Sequence, residues 1–403
     1  MSYLFTLTPG LKIFWKRVCW TIMILFIYMW GMQIPLPFAQ ITSSYRRLLL
    51  KSPISILTFY SGANLTQLSL FMVGLTPMMI GMLFVQVLSY YRMFGLGTFS
   101  QRQMNYFQQF IILVFAIIQS AALTFGFGLT KTTIQGLSVI LILTAGSMFV
   151  TWLGMLNGRN GIGGTILLIL VNILSGIFPM VRQAVENLLS LPNGKWLVTL
   201  LLVIGLLIAR FWLAFMRAYY PIKIIDTNES SRTKPRILPI GLNSGAMMTI
   251  MVGMAIIMIP LTFGGFFPQY RFLTNPIFDA VYAGIMTFTL FYFFTFVQYS
   301  PESMARGMRG RGVYILGIHP GKPTQLYLRH KIWSISLLGA TLNTFTMVFG
   351  MLGPRLLDKY SGFALIPMNI MMLLLFMSGI QEQIGLYLIP RQYEKYNEKE
   401  NSF

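Results

Sequence analysis

Along most of this chain apolar residues come in unbroken stretches, and polar residues are confined to the segments between them. A helix needs about 20 apolar residues to cross roughly 30 Å of hydrocarbon. Ten runs meet that length and predict ten spanning helices, over 18–34, 69–90, 107–127, 135–155, 163–181, 196–216, 242–263, 277–298, 332–352 and 363–386. The segment between the first two runs, Pro35 to Leu68, holds a further apolar stretch at 54–62 that is too short to span. Such a stretch predicts either a helix lying in the interface or a short re-entrant helix, because backbone at membrane depth must be satisfied inside protein.

Composition agrees with this pattern. Hydrophobic residues make up 55% and charged residues 10%, with a mean hydropathy of +0.67, so there is too little polar surface to cover a water-soluble globule of 403 residues. The fold class expected is an all-α polytopic membrane protein.

The net charge of +20 raises nucleic acid as a partner until the cations are placed. Of the 30 Lys and Arg, 20 fall in the termini and alternate loops on one side, 9 on the other, and Arg210 lies inside the sixth run. By the positive-inside rule the cation-rich side is cytoplasmic, which puts both termini in the cytoplasm of a multi-pass protein of the cell membrane. The asymmetry is explained by topology, and no nucleic-acid partner is expected. The first run follows Lys12, Lys16 and Arg17 as a secretory signal would, but it ends in Met32-Gln33-Ile34-Pro35 without a small-residue cleavage site and is expected to stay. Cys19, the sole cysteine, lies in that run and is expected to be a buried thiol; one cysteine gives no intrachain disulfide.

Candidate chemistry is sparse. Only Arg210, Asp279 and Glu382 fall within or near the runs, each close enough to an end to snorkel to the interface. Both histidines, His319 and His330, share one loop, and there is no metal-ligand spacing, phosphate loop or nucleophile-base pair. Neither an enzyme nor a cofactor is predicted. The polar segment from Ser300 to Lys331 stands out instead. Its six cations (Arg306, Arg309, Arg311, Lys322, Arg329 and Lys331) face one acid, Glu302, and it contains Gly317-Ile318-His319-Pro320-Gly321. Such a segment can offer cations to a docking partner or to anionic lipid.

Several segments carry a resemblance when read in order. Tyr60-Ser61-Gly62-Ala63-Asn64-Leu65 through Gly74-Leu75-Thr76-Pro77 looks like the plug and start of the second span in the SecY family of protein-conducting channels. Phe115-Ala116-Ile117-Ile118-Gln119-Ser120 resembles the family's third span, and Leu143-Thr144-Ala145-Gly146-Ser147 with Trp152-Leu153-Gly154 its fourth. Leu238-Pro239 with Asn243 resembles the approach to its seventh span, and Ser300-Pro301 through Gly317–Gly321 and Thr324 its large loop after the eighth. The chain departs from the usual pattern at His319, where the family has arginine, at Met155, where it has an acid, and in its short loop 217–239. Together these departures resemble the accessory Sec-system branch of the family found in some Gram-positive bacteria.

The resemblance implies two inverted five-helix halves, here 1–190 and 191–390, with a cytoplasmic tail at 391–403 and a re-entrant plug at about 54–64 carrying Ile54, Ile56, Leu57, Phe59, Tyr60 and Gly62. It implies an apolar pore ring at Leu75, Met79, Ile166, Leu170, Met251 and Met372, with Ile162 as a competitor for Ile166. The i, i+4 spacing of the first two pairs suits a ring and suits ordinary core packing equally. A lateral gate is implied with Gln119 and Thr249 at its seam, while Asn172, Asn343 and Asn369 read as ties between helices. A SecA-like motor ATPase is expected on the loops 217–239 and 299–331, at Arg306, Arg309, Arg311, Gly317, His319, Pro320, Gly321 and Lys322. Secretory preproteins, serine-rich glycosylated adhesins in the accessory branch, are the implied cargo; small SecE-like or SecG-like subunits, other accessory Sec proteins and membrane lipids are the further partners. The rival readings are a housekeeping SecY and, in a different class, a secondary transporter or lipid-linked sugar flippase.

Overall fold

The computed structural model describes residues 9–39, 68–90, 99–126, 128–130, 132–190, 192–226, 236–266, 275–356 and 364–400. Helices account for most of them: α1 (Pro9–Gln33), α2 (Thr76–Tyr90), α3 (Gln101–Gly126), α4 (Thr133–Asn160), α5 (Gly164–Leu189), α6 (Gly194–Arg217), α7 (Ala246–Phe266), α8 (Pro276–Gln298), α9 (Pro301–Gly310), α10 (Lys322–Leu356) and α11 (Ile366–Glu400). Among the described residues, five helical stretches are long and apolar enough to cross a membrane: Arg102–Phe125, Thr133–Asn160, Gly194–Arg217, Ile277–Gly310 and Lys322–Gly353. Two shorter apolar helices are Thr76–Ser89 and Gly164–Ser175.

The all-α expectation is corrected by three strands, β1 (Tyr219–Asp226), β2 (Arg236–Gly241) and β3 (Val313–Ile315). They form one antiparallel sheet in the order β2-β1-β3. Residues taken as two separate loops therefore share a hydrogen-bonded ladder. The ninth span also starts earlier than expected, because Lys322 to Lys331 already form the first turns of α10.

Local signals explain several helix starts. Ser300 and Asn275 accept at their side-chain oxygens from the N–H groups of Ser303 and Ile277, and each is followed by a proline that needs no partner in the first turn. Thr132 caps α4 in the same way through Gln135.

The chain forms two compact units. The first gathers the described residues of Met1–Pro179, Met258–Arg271 and Phe376–Phe403. In it the two ends of the segment following α1 are pinned together: Leu36 N–H donates to Leu68 O (2.8 Å) and Leu70 N–H to Ile34 O (3.1 Å), closing a bridge between Pro35 and Ser69. Residues 69–75, expected to open the second span, instead run as turns up to Thr76. Gly74 adopts a left-handed φ of 55°, and its carbonyl accepts from the buried Ser147 Oγ (2.9 Å), so the helix starts only beyond it.

Gly146 explains how α4 approaches so closely, since a Cβ there would overlap the Leu70 carbonyl oxygen, which is backbone and cannot yield. Gly146→Val is expected to cost about 3 kcal/mol or more. Unfolding of the purified variant in detergent, compared with wild type, measures it.

The second unit gathers the described residues of Met180–Ile257 and Phe272–Leu375. Here α8 and α10 pack along their lengths, with the Tyr292 and Trp333 rings 4.4 Å apart and Tyr292 O–H donating to Trp333 O (3.2 Å). Asn343, expected to be a tie, donates from Nδ2 to Asn243 Oδ1 and to Gly339 O, both at 2.7 Å, and so joins α10 to the turn before α7.

Two expectations fail by position. Cys19 is exposed, not buried, because a helix facing lipid is as apolar outside as a core is inside. Asp279 does not snorkel: it is 3% exposed in the first turn of α8, where the helix dipole favours a carboxylate. Arg210 and Glu382 are exposed.

Candidate functional site

The second unit carries a platform built from both polar loops. β1 leaves α6 after a single residue, turns back as β2 and leads into α7, while α9 and β3 arrive from the end of α8. Alternation in Ile222-Lys223-Ile224 sends Ile222 inward, where it packs with Ile240, Ile315, Leu328 and Ile332 in a shared apolar core. That core fastens the sheet onto the first turns of α10. The β1–β3 ladder is short, running from Ile224 opposite Ile315 to Asp226 opposite Val313.

The Gly317–Gly321 segment is the turn that joins β3 to α10. Gly317 and Gly321 adopt φ of 81° and 111°, with open space where a Cβ would stand, so backbone conformation and not crowding demands glycine there. The buried Thr324 Oγ1 donates to His319 O (2.8 Å) and holds the turn from the helix side. The side chains of His319 and Pro320 are left exposed at its tip, beside Lys322.

Of the cations on this platform, Arg309, Arg311, Lys322 and Arg329 are exposed, and Lys331 lies over the rings of Tyr220 (5.3 Å) and Tyr327 (5.8 Å). Arg306 corrects the expectation that these cations are unpaired, because it bonds Glu302 one turn away. That pair is solvent-exposed and contributes little, about 0.5 kcal/mol. Between the sheet and α9 lies an open cleft of ≈ 470 Å³, with Ile224, Leu238, Met304 and Met308 as apolar lining and Arg236 and Arg311 at its polar positions. Neither cleft nor sheet was anticipated, although the alternation in β1 and the i, i+4 pair Met304/Met308 were visible signals.

The other predicted residues are distributed as follows. Leu75 and Met79 are buried and joined by the Met79 N–H to Leu75 O bond (3.1 Å), while Ile166 and Leu170 are half-buried on α5 and Ile162 is buried just before it. These belong to the first unit; the buried Met251 and Met372 belong to the second. Gln119 on α3 has a buried Oε1 with no hydrogen-bond partner among the described residues. Thr249 on α7 gives its one hydroxyl proton to Gly245 O (2.7 Å), which leaves it able only to accept. The plug residues Ile54, Ile56, Leu57, Phe59, Tyr60 and Gly62 lie outside the described residues.

One polar corner in the first unit escaped the sequence reading. Asn157, fully buried near the end of α4, donates from Nδ2 to Ile162 O and Gly164 O, both at 2.9 Å. Thr21 Oγ1 on α1 accepts from Ile162 N–H (2.9 Å) and lies 3.1 Å from Asn157 Oδ1. Arg17 adds bonds to Arg159 O and Gly161 O, and Gln383 on α11 accepts from Gly163 N–H (2.9 Å).

The fold has solved counterparts. It superposes on a structure described as that of a protein-conducting channel with a TM-score of 0.67, covering 93% of this chain and 92% of that one at 15% identity. A SecY structure, described as one whose plug domain stabilises the closed state and maintains a membrane seal, matches with a TM-score of 0.63 over the same shares at 14% identity. The SecY family profile matches residues 69–380. The chain belongs to the SecY family of protein-translocation channel subunits. It is 42% identical over 381 residues to the accessory Sec system protein translocase subunit SecY2 of Lactobacillus johnsonii, covering 94% of this chain and 96% of the relative. The SecY2 of Streptococcus salivarius is 27% identical over 403 residues, covering 95% and 98%.

Proposed function

We propose that this chain is the channel subunit of an accessory Sec translocase and passes secretory polypeptide, driven by a SecA-like cytoplasmic ATPase. The observation that carries this reading is the 42% identity to an accessory SecY2 along nearly the whole chain. In this reading ten spans form two inverted halves with both termini in the cytoplasm. Leu75, Met79, Ile166, Leu170, Met251 and Met372 form a narrow apolar ring that blocks ions by dewetting. The segment 54–64 stoppers it, and a seam near Gln119 and Thr249 opens toward lipid for a signal segment.

The motor grips the platform. Exposed Arg309, Arg311, Lys322 and Arg329 supply its charge, the cleft lined by Met304 and Met308 supplies apolar grip, and exposed His319 sits where ordinary SecY presents arginine. The channel itself makes and breaks no covalent bond. Serine-rich glycosylated adhesins are the proposed cargo, with small SecE-like or SecG-like subunits alongside.

Affinity purification of the tagged chain from its native membrane tests this reading. Recovery of a SecA-like ATPase with an arrested secretory chain is the expected result, and the identity of that chain separates accessory from housekeeping export. Recovery of neither, with ion-tight vesicles after removal of 54–62, supports a carrier instead.

A further inference from the structure

We propose that the outward face of α6 holds the phosphate of an anionic phospholipid at Arg210, below the plane of the surrounding headgroups. The helix is sided. Trp212 and Phe215 are buried, and Gly205 approaches Ile370 at 3.8 Å from where a Cβ would stand, which marks the protein-facing stripe. At 100° per residue Arg210 lies about 200° from Trp212, diametrically outward, among Leu206 and Leu207 that are 62% and 63% exposed. Arg217, two turns on, falls about 20° from the same line and is also exposed.

Length makes Arg210 informative. Between Lys195 and Arg210 the helix offers 14 residues, Trp196 to Ala209, without a charge. At 1.5 Å per residue these span about 21 Å, well short of the roughly 30 Å hydrocarbon layer. The exposed Tyr219 and Tyr220, beyond Arg217, suit an interfacial aromatic position and set the water-side boundary there. Arg210 is therefore about 10 Å deeper than Arg217 along the axis.

Snorkelling is poorly served at this end of the helix. Side chains tilt toward the helix N-terminus, away from Arg217 and the nearer interface. Among the described residues Arg210 has no hydrogen-bond or ion-pair partner. A charge left in hydrocarbon is costly, and a mismatched helix is relieved by local thinning of the bilayer. A phosphate drawn down to Arg210 meets both demands, because the guanidinium fork matches two phosphate oxygens at once.

Charge favours lipid over a single acidic side chain. α6 carries no acidic residue, and Arg210 and Arg217 on one line offer two cations at different depths. Diffusing anionic headgroups can meet each cation at its own depth, whereas one fixed carboxylate reaches one. The assignment to the cytoplasmic leaflet rests on the topology proposed above; the contact itself does not.

The experiment reconstitutes the full chain into nanodiscs of phosphatidylglycerol and phosphatidylcholine, then counts lipids retained after mild detergent extraction by native mass spectrometry. Wild type is expected to retain phosphatidylglycerol selectively, and Arg210→Leu to lose that retention about tenfold, the scale of one charge-assisted contact. Arg210→Lys is expected to lie between them. Leucine suits a lipid-facing position, so insertion of the variant is not in question. Equal phosphatidylglycerol retention by wild type and Arg210→Leu overturns the proposal. So does a co-purifying small membrane protein that Arg210→Leu loses while its lipid count stays the same.

Discussion

Asn157→Leu is expected to destabilise the first unit by about 4 kcal/mol and to reduce export in proportion to the loss of folded channel. The side chain is fully buried, and it holds the short connection from α4 to α5 from inside. Leucine has similar bulk but leaves the Ile162 and Gly164 carbonyls without its Nδ2 and takes the acceptor from beside Thr21 Oγ1. Each buried polar group orphaned in this way costs about 1–3 kcal/mol, and little water can reach a site closed by α1 on one side and Gln383 on another. Thr21→Val separates the contributions. It removes the hydroxyl facing Asn157 Oδ1 and Ile162 N–H and leaves both donated bonds in place, so a loss well below leucine's assigns the cost to the two carbonyls. Unfolding in mixed micelles and protease sensitivity at Gly161–Gly164 are the readouts. Stability unchanged from wild type shows that the corner is held by its other bonds.

On the motor docking proposed above, the second large effect is expected from Arg309→Glu with Arg311→Glu, which should lower association of a SecA-like ATPase about a hundredfold at low salt and stop export driven by it. Both side chains are exposed and neither makes an ion pair among the described residues, so reversal leaves the internal packing alone. Arg311 also contributes to the cleft beside Met304 and Met308, so reversal there changes the charge of the surface a partner must approach. Channel abundance and topology should stay at wild-type values. Compensating lysines on the motor should restore binding. Full export by the double variant, at normal abundance, removes these arginines from the docking surface.

Much of this architecture was legible because lipid imposes a length on every crossing, and runs such as 135–155 and 196–216 became helices at nearly those bounds. What lay inside each helix was not legible. In a soluble protein a buried face is apolar and an exposed face polar, but α6 is apolar on both, and so is α1 around Cys19. Spacing alone therefore could not tell a proposed pore-ring residue such as Met79 from an ordinary core residue. The sheet was missed for a different reason. The alternation of β1 in Ile222-Lys223-Ile224 sits in a basic segment whose charge already had an explanation in topology. The glycines of 317–321 stood out as a motif, while the physical cause of glycine there, two left-handed backbone conformations at the head of α10, shows only in the fold. Asn157 gave no warning because it lies just past the run 135–155, in the polar stretch Asn157-Gly158-Arg159-Asn160, where an amide looks the same whether it meets water or anchors a turn.

The three-stranded sheet acts mechanically as a yoke. β1 grows out of α6 after one residue, β2 reaches α7 within five, and β3 is flanked by the segments that root in α8 and α10. A push on the tip at His319 cannot be taken up by one helix alone. It is divided among four, through a core of five aliphatic side chains and a ladder only three residue pairs wide on the β3 side. On the docking proposed above, that ladder is the shorter of the sheet's two pairings, and it carries load from the tip toward α6 and α7.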